Sequence, residues 1–245
     1  MAQPYTVSDR IPGSLQARPS EFLGSKPHLH RLMAAAMVFR TSPHGHAAQT
    51  LLLRRAPRDS SPPKWEVPGG STDEQDATVL DSVRRELHEK TGLHAKTMLY
   101  PVGMLDAAAQ NFEAESDARN EGDDAQTVAF WERERDEKPG NLLRWGKVTV
   151  VVDVHEEEAL DDDGSVRLVD TEHDRCAWAT REEIYASKFA DGEDIGFVSG
   201  AAWRIILEGF RLHGEKVERA REREREAKGA RMMAKFGGIA DKGPW

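Results

Sequence analysis

Apolar positions fall into several short runs and one clear helical stripe. Leu32 to Arg40 is an apolar run ending in charge, and its length suits a buried strand. Ser42 to Ala48 reads as a turn and Thr50 to Arg55 as a second strand, so the two pair as a hairpin. Trp65-Glu66-Val67 reads as a short strand that a sharp turn at Pro68-Gly69-Gly70 stops. From about Ala77 to Thr91, Val79, Val83 and Leu87 recur at four-residue spacing, and Leu80 lies seven before Leu87. That spacing predicts a helix with one apolar face. Gly92 stands where the helix end wants a residue of positive φ. Val148 to Val154 is β-branched and almost wholly apolar, as an interior strand is. Cys176 to Ala179 offers a further strand. A helix then starts at Arg181 and runs to Ser187, with Thr180 as N-cap and Glu183 completing a capping box.

The rest of the chain is polar or interrupted. Pro4, Pro12, Gly13, Pro19, Gly24 and Pro27 punctuate residues 1–30, which predicts an extended arm with little regular structure. Residues 107–146 hold an acidic stretch, Glu113 to Asp124, read as a loop or insertion. Trp203, Ile206, Leu207 and Phe210 have helical spacing and predict a packed helix over Gly200 to Gly214. From Glu215 to Lys228, Glu and Arg dominate. Glu218 with Arg221, and Arg221 with Glu224, are spaced to support an exposed helix. A partner-binding or homodimer role is the sharper reading of that helix. The expected division is an arm at 1–30, one domain at 31–212, and a charged helix and tail at 213–245.

Composition narrows the class. A chain of 245 residues, 38% hydrophobic and 31% charged, suits one globular domain with extensions. A net charge of −9 argues against nucleic acid as the main partner. The single cysteine, Cys176, makes no internal disulfide and is read as a half-buried strand residue. Met1 to Ser20 lacks the apolar run of a signal peptide, and no stretch is apolar enough to span a bilayer. The expectation is a cytoplasmic protein with no membrane partner. No P-loop, dinucleotide fingerprint or nucleophile elbow is present. His28, His30, His44 and His46 read as loop residues, and Trp131 and Trp145 as packing residues or as platforms for a flat ligand.

Chemistry concentrates in Pro68 to Leu93. Glu86 and Glu89 are three apart and share a helix face, with Ser82 one turn before Glu86. The apolar stripe docks the other side. Two adjacent carboxylates are unfavourable unless a cation or proton joins them. Hard oxygen ligands suit Mg²⁺, which bridges protein carboxylates to substrate phosphates. Arg85 is placed to pair with a carboxylate and fix its orientation. Gly69-Gly70 lets the backbone approach a ligand without a side chain in the way. Read as ordinary surface, Glu86, Glu89 and Arg85 would be solvated residues with no role.

This stretch resembles the Nudix hydrolase signature, G-x5-E-x7-R-E-U-x-E-E-x-G-U with U a bulky apolar residue. Gly70, Arg85, Glu86, Leu87, Glu89, Gly92 and Leu93 match. Trp65-Glu66-Val67-Pro68 before it, and Glu172-His173 ahead of Trp178-Ala179-Thr180, add to a pattern that resembles fungal Nudix proteins. The resemblance covers roughly residues 31–190. It implies an α/β fold, an α/β/α sandwich with a mixed sheet, and hydrolysis of a diphosphate linkage in a small molecule with Mg²⁺ or Mn²⁺. It makes Glu86 a metal ligand and base, Glu89 a second ligand, Arg85 the orienting arginine, Gly69 a carbonyl ligand and Glu172 a late acidic ligand. Gly70, Lys90 and Asp76 fall to the substrate side.

Two positions depart from the signature. Its second paired glutamate falls on Lys90, a cation that repels Mg²⁺ and is spaced to pair with Glu86. Its first glutamate falls on Asp76, eight residues before Arg85 rather than seven. Along a helix such a slip turns a side chain by about 100°. Three functions stay open: a metal-dependent diphosphate hydrolase, a ligand-binding module that has lost hydrolysis, and a repurposed isomerase or lyase using Glu86 and Glu89 as acid and base.

Overall fold

In chain order the elements are β1 (Thr6–Val7), a 3-10 turn (Gly13–Gln16), α1 (Pro19–Gly24), β2 (Arg31–Met37), β3 (Phe39–Thr41), β4 (Ala48–Arg55), β5 (Trp65–Glu66) and β6 (Gly69–Ser71). There follow α2 (Val79–Thr91), β7 (Ala95–Val102), β8 (Asn120–Gly122), β9 (Thr127–Arg133), β10 (Leu142–Val154), β11 (His173–Thr180), α3 (Arg181–Ala186) and α4 (Gly200–Gly237). The computed structural model describes residues 3–42, 47–56, 63–103, 120–122, 127–133, 142–156, 160, 166–168 and 172–237. Most of the acidic stretch at 113–124 lies outside these residues, as do His44 and His46.

The valine run is the C-terminal half of β10, the strand that organises the larger sheet. It pairs in parallel with β2 and antiparallel with β7 and β9. The order β1-β7-β10-β2-β6 makes the sheet mixed. Register carries one strand's positions onto the next. Met33 of β2 faces Lys147 on one side and Ser71 on the other, and Ala35 faces Thr149 and Gly69. A second sheet, β11-β4-β3 with β5 on β4, is antiparallel. The expected hairpin is only partly present: the run Leu32 to Arg40 divides into β2, which joins the larger sheet, and β3, which alone pairs with β4.

The helical stripe of α2 is buried as its spacing predicts. Val79, Leu80, Val83 and Leu87 pack in one cluster with Leu32, Ala34, Ala36 and with Val148, Val150, Val152 and Val154. Each valine or leucine among them contributes roughly 1.5–3 kcal/mol by leaving water. The layers are those of an α/β/α sandwich. Cys176 is half-buried against this cluster. Thr180 caps α3 with the capping box in place.

Three local readings change. Residues 3–30 are not featureless: β1 pairs with β7, and Ile11, Leu15 and Phe22 enter the α2 core cluster. Proline and glycine shorten the elements there, but the apolar residues between them still drive docking. Inside 107–146, β8, β9 and the start of β10 are strands. Gly69-Gly70 is not a turn but the extended edge strand β6, and neither glycine has positive φ.

The chain divides into two units, 1–209 and 210–245. The second is helical through Gly237, and from Glu218 to Lys228 it is exposed. Arg221 with Glu218 pairs along it as expected, and Arg219 with Glu215 and Lys228 with Glu224 pair one helical turn apart. Among the described residues no helix is long and apolar enough to cross a membrane.

Candidate active site

The start of α2 decides where its acids stand. Thr78 Oγ1 accepts from the Asp81 backbone N–H at 3.0 Å, so the helix begins at Val79. Gly92 ends it at φ 71°. Asp76 therefore precedes the helix, in a turn where the Asp73 N–H donates to Asp76 Oδ2 at 2.9 Å. The extra residue between Asp76 and Arg85 is taken up in this turn, and helical rotation does not apply to it. Asp76 reaches Arg85 directly. Arg85 Nε donates to Oδ1 and Nη2 to Oδ2, both at 3.0 Å, and Ser82 Oγ donates to Oδ2 at 2.6 Å.

The same guanidinium serves the helix acids. Arg85 Nη1 donates to Glu86 Oε1 at 2.8 Å and to Glu89 Oε2 at 3.0 Å, and Nη2 donates to the Ser71 carbonyl at 2.9 Å. One planar fork thus fixes three carboxylates and the edge strand, a geometry that lysine cannot copy. Hydrogen bonds to Asp76 above all push the Arg85 pKa upward. Burial raises the Asp76 pKa, but Arg85 and Ser82 outweigh it and the net shift is downward. At Glu86, only 4% exposed, burial wins over Arg85 and the pKa is raised. A Cβ at Gly70 would collide with the Glu86 carboxylate, so the glycine makes the room in which that carboxylate lies. At Gly69 a Cβ would lie 2.7 Å from the Ala34 carbonyl oxygen and from Ala35 Cβ, so this glycine allows β6 to lie against β2.

Gly70, Asp76, Arg85, Glu86 and Glu89 are therefore brought together. Lys90 and Glu172 meet one another, Nζ to Oε2 at 3.1 Å. Among the described residues no group of three or more His, Cys, Asp and Glu could hold a metal ion. Two carboxylates, Glu86 and Glu89, with Arg85 between them, remain as donors. Such a set fits a Mg²⁺ that keeps its waters and takes one or two protein carboxylates plus substrate phosphates.

A second charged cluster was not foreseen from the sequence. Glu66, buried on β5, accepts from Arg55 Nε at 2.6 Å, with His173 Nε2 3.5 Å from the same Oε1 and Lys147 Nζ 4.0 Å from Oε2. Burial raises its pKa, but His173, Lys147 and Arg55 together bring it down to about 2. Burial lowers the Lys147 pKa. The signal in the sequence was a lone charge inside an apolar strand, Glu66 in Trp-Glu-Val and Lys147 heading the valine run. Nothing there tied the two together.

A family model described as NUDIX domain matches residues 31–200. The chain belongs to the NUDIX family. Among solved structures, this NUDIX chain is similar to a NUDIX hydrolase from Nitrosomonas europaea, with 17% identity, 75% of this chain and 89% of that one covered, and a TM-score of 0.42. It is also similar to a MutT protein from Methanosarcina mazei Go1, with 21% identity, 76% and 96% covered, and a TM-score of 0.41. A third is the NUDIX domain of Shewanella oneidensis NrtR, solved with ADP ribose, with 17% identity, 83% and 97% covered, and a TM-score of 0.40. No curated protein matches the sequence.

Proposed function

We propose that this NUDIX protein hydrolyses a diphosphate linkage in a small organic molecule, a nucleoside diphosphate derivative or another organic diphosphate, in the cytoplasm and with Mg²⁺ or Mn²⁺. The observation that carries the reading is the Arg85 fork holding Asp76, Glu86 and Glu89, with Glu86 buried above Gly70. A buried carboxylate of raised pKa suits a general base, because its affinity for a proton moves toward the working pH. Glu86 takes the proton of a water attacking one phosphorus as the bridging P–O bond breaks. The other phosphate leaves with the electron pair. Arg85 keeps Glu86 aimed during this step and prevents the three acids from repelling one another apart. Glu86 and Glu89 would hold the divalent ion, whose contribution when bound is to neutralise charge on the phosphates.

The test is Glu86→Gln, which keeps the acceptor that Arg85 Nη1 uses and removes the base. Phosphate release from nucleotide sugars, dinucleotides, coenzyme A and isoprenyl diphosphates, with Mg²⁺ present, is expected for the natural chain. It is expected to fall by about 10²–10⁴-fold in the variant. No release from any of these compounds sinks the hydrolase reading. The second reading, a binding module without hydrolysis, is favoured by the Lys90–Glu172 pair where the signature places a carboxylate. It requires thermal stabilisation by the same compounds that persists in chelator.

A further inference from the structure

We infer that Lys147 and Thr149 form a recognition site for an additional anionic group on the diphosphate substrate, a phosphate monoester or a carboxylate carried on the moiety that flanks the diphosphate. The inference rests on the diphosphate reading above and adds the substrate class. Lys147 and Thr149 are two apart on β10, so their side chains leave the same face, opposite the core valines. Thr149 is 0% exposed and its Oγ1 has no hydrogen-bond partner. The Lys147 ammonium has Glu66 Oε2 as its carboxylate neighbour at 4.0 Å, beyond hydrogen-bond reach. Glu66 itself is already engaged by Arg55 at 2.6 Å.

A buried hydroxyl and a buried ammonium left without acceptors are costly, and a ligand oxygen that accepts from both removes the cost. The side chain of Lys147 keeps 15% exposure. The position also suits a substrate that spans both sites. Lys147 is in register with Met33, and Met33 with Ser71, whose carbonyl Arg85 holds. Two strand spacings, roughly 10 Å, separate Lys147 from Ser71 along the sheet. That is the length of a nucleoside or sugar attached to a diphosphate. The Glu66 cluster and the Arg85 fork share no residue, so removal of Lys147 leaves the fork intact.

Calorimetric titration of the full chain, with Mg²⁺ and separately with chelator, uses three matched pairs as probes. They are NADPH against NADH, coenzyme A against 3′-dephospho-coenzyme A, and UDP-glucuronate against UDP-glucose. The first two differ by a phosphate monoester and the third by a carboxylate, which tells the two anion sources apart. The expected result is about tenfold tighter binding of the member with the extra anionic group in at least one pair. Lys147→Gln abolishes that preference and the isosteric Thr149→Val reduces it, with the affinity of the member that lacks the extra group unchanged. Equal affinities within every pair, a preference that survives Lys147→Gln, or no binding of any probe overturns the inference. Turnover of these probes without preference overturns it while leaving the hydrolase reading in place. Preference in binding without turnover of any probe supports the inference and counts against hydrolysis of these compounds.

Discussion

The two charged clusters are mirror images. At the end of β6 one arginine, Arg85, is held by three carboxylates. On β5 one carboxylate, Glu66, is held by Arg55, with Lys147 and His173 close by. The first gathers acids round one cation, and the second gathers cations round one acid. Burial acts oppositely on their central acids. Glu66 has more cationic partners than its desolvation can offset, so its pKa is low. Glu86 shares its one arginine with two other acids, so desolvation prevails. The Glu66 carboxylate at neutral pH is a source of stability, whereas Glu86 holds a charge at some expense of stability, as reactive groups do.

Removing the hub of each cluster tests that contrast, and the larger effect belongs to Arg85. Arg85→Ala takes from the buried Asp76 and Glu86 the guanidinium that both accept from, a change that costs roughly 3–5 kcal/mol in comparable buried pairs. Urea unfolding reads it, and Arg85→Lys is expected to recover less than half, since an ammonium cannot engage both oxygens of Asp76 and also reach Glu86 and Glu89. A loss below about 1 kcal/mol would mean the fork is ornamental.

The Glu66 cluster speaks through acid. Its folded pKa of about 2 lies below the ordinary value of 4.5, so folding favours the ionised form. This stabilisation is fully present above the unfolded pKa and is lost as the pH falls from 4.5 toward 2. The shift corresponds to about 3 kcal/mol. Glu66→Gln is expected to flatten that part of the acid limb in chemical denaturation at stepped pH. Glu86, with its pKa raised, bends the curve the other way. Its contribution favours the fold at low pH and is lost as the pH rises past the ordinary carboxyl value. An acid limb unchanged by Glu66→Gln would refute the charge assignment on β5.

What the sequence revealed differs between the clusters for the same reason that their connectivity differs. The acids of the Arg85 site lie within 14 residues of one another, from Asp76 to Glu89, on a helix whose stripe and caps were readable. The capping box at Thr180 was as plain. Glu66, Lys147 and His173 come from β5, β10 and β11, and only the pairing of two sheets brings them together. Periodicity gives the face of a strand but not its partner. Two misreadings came from treating local chemistry as decisive. A Gly-Gly pair signalled a turn, although here it lets an edge strand lie beneath Glu86, and a one-residue slip was reckoned in helical rotation although Asp76 precedes the helix.

The smallest effect bears on the position that separates this chain from the signature. Lys90 meets Glu172 and its charge also lowers the pKa of Glu86. Lys90→Glu exchanges that attraction for repulsion, and in chelator the variant is expected to be less stable than the natural chain. With Mg²⁺ the order changes, because a third carboxylate beside Glu86 and Glu89 strengthens the donor set. A tenfold gain in metal affinity corresponds to about 1.4 kcal/mol of added metal-dependent stability, or about 4 °C in Tm at saturating Mg²⁺. The decisive quantity is the difference between the Mg²⁺-induced shifts of variant and natural chain, measured at matched ionic strength so that screening cancels. Equal shifts would show that Lys90 does not face the cation. Arg85 would then be the cation that governs the two carboxylates, since its hold on both competes with any ion for the same oxygens.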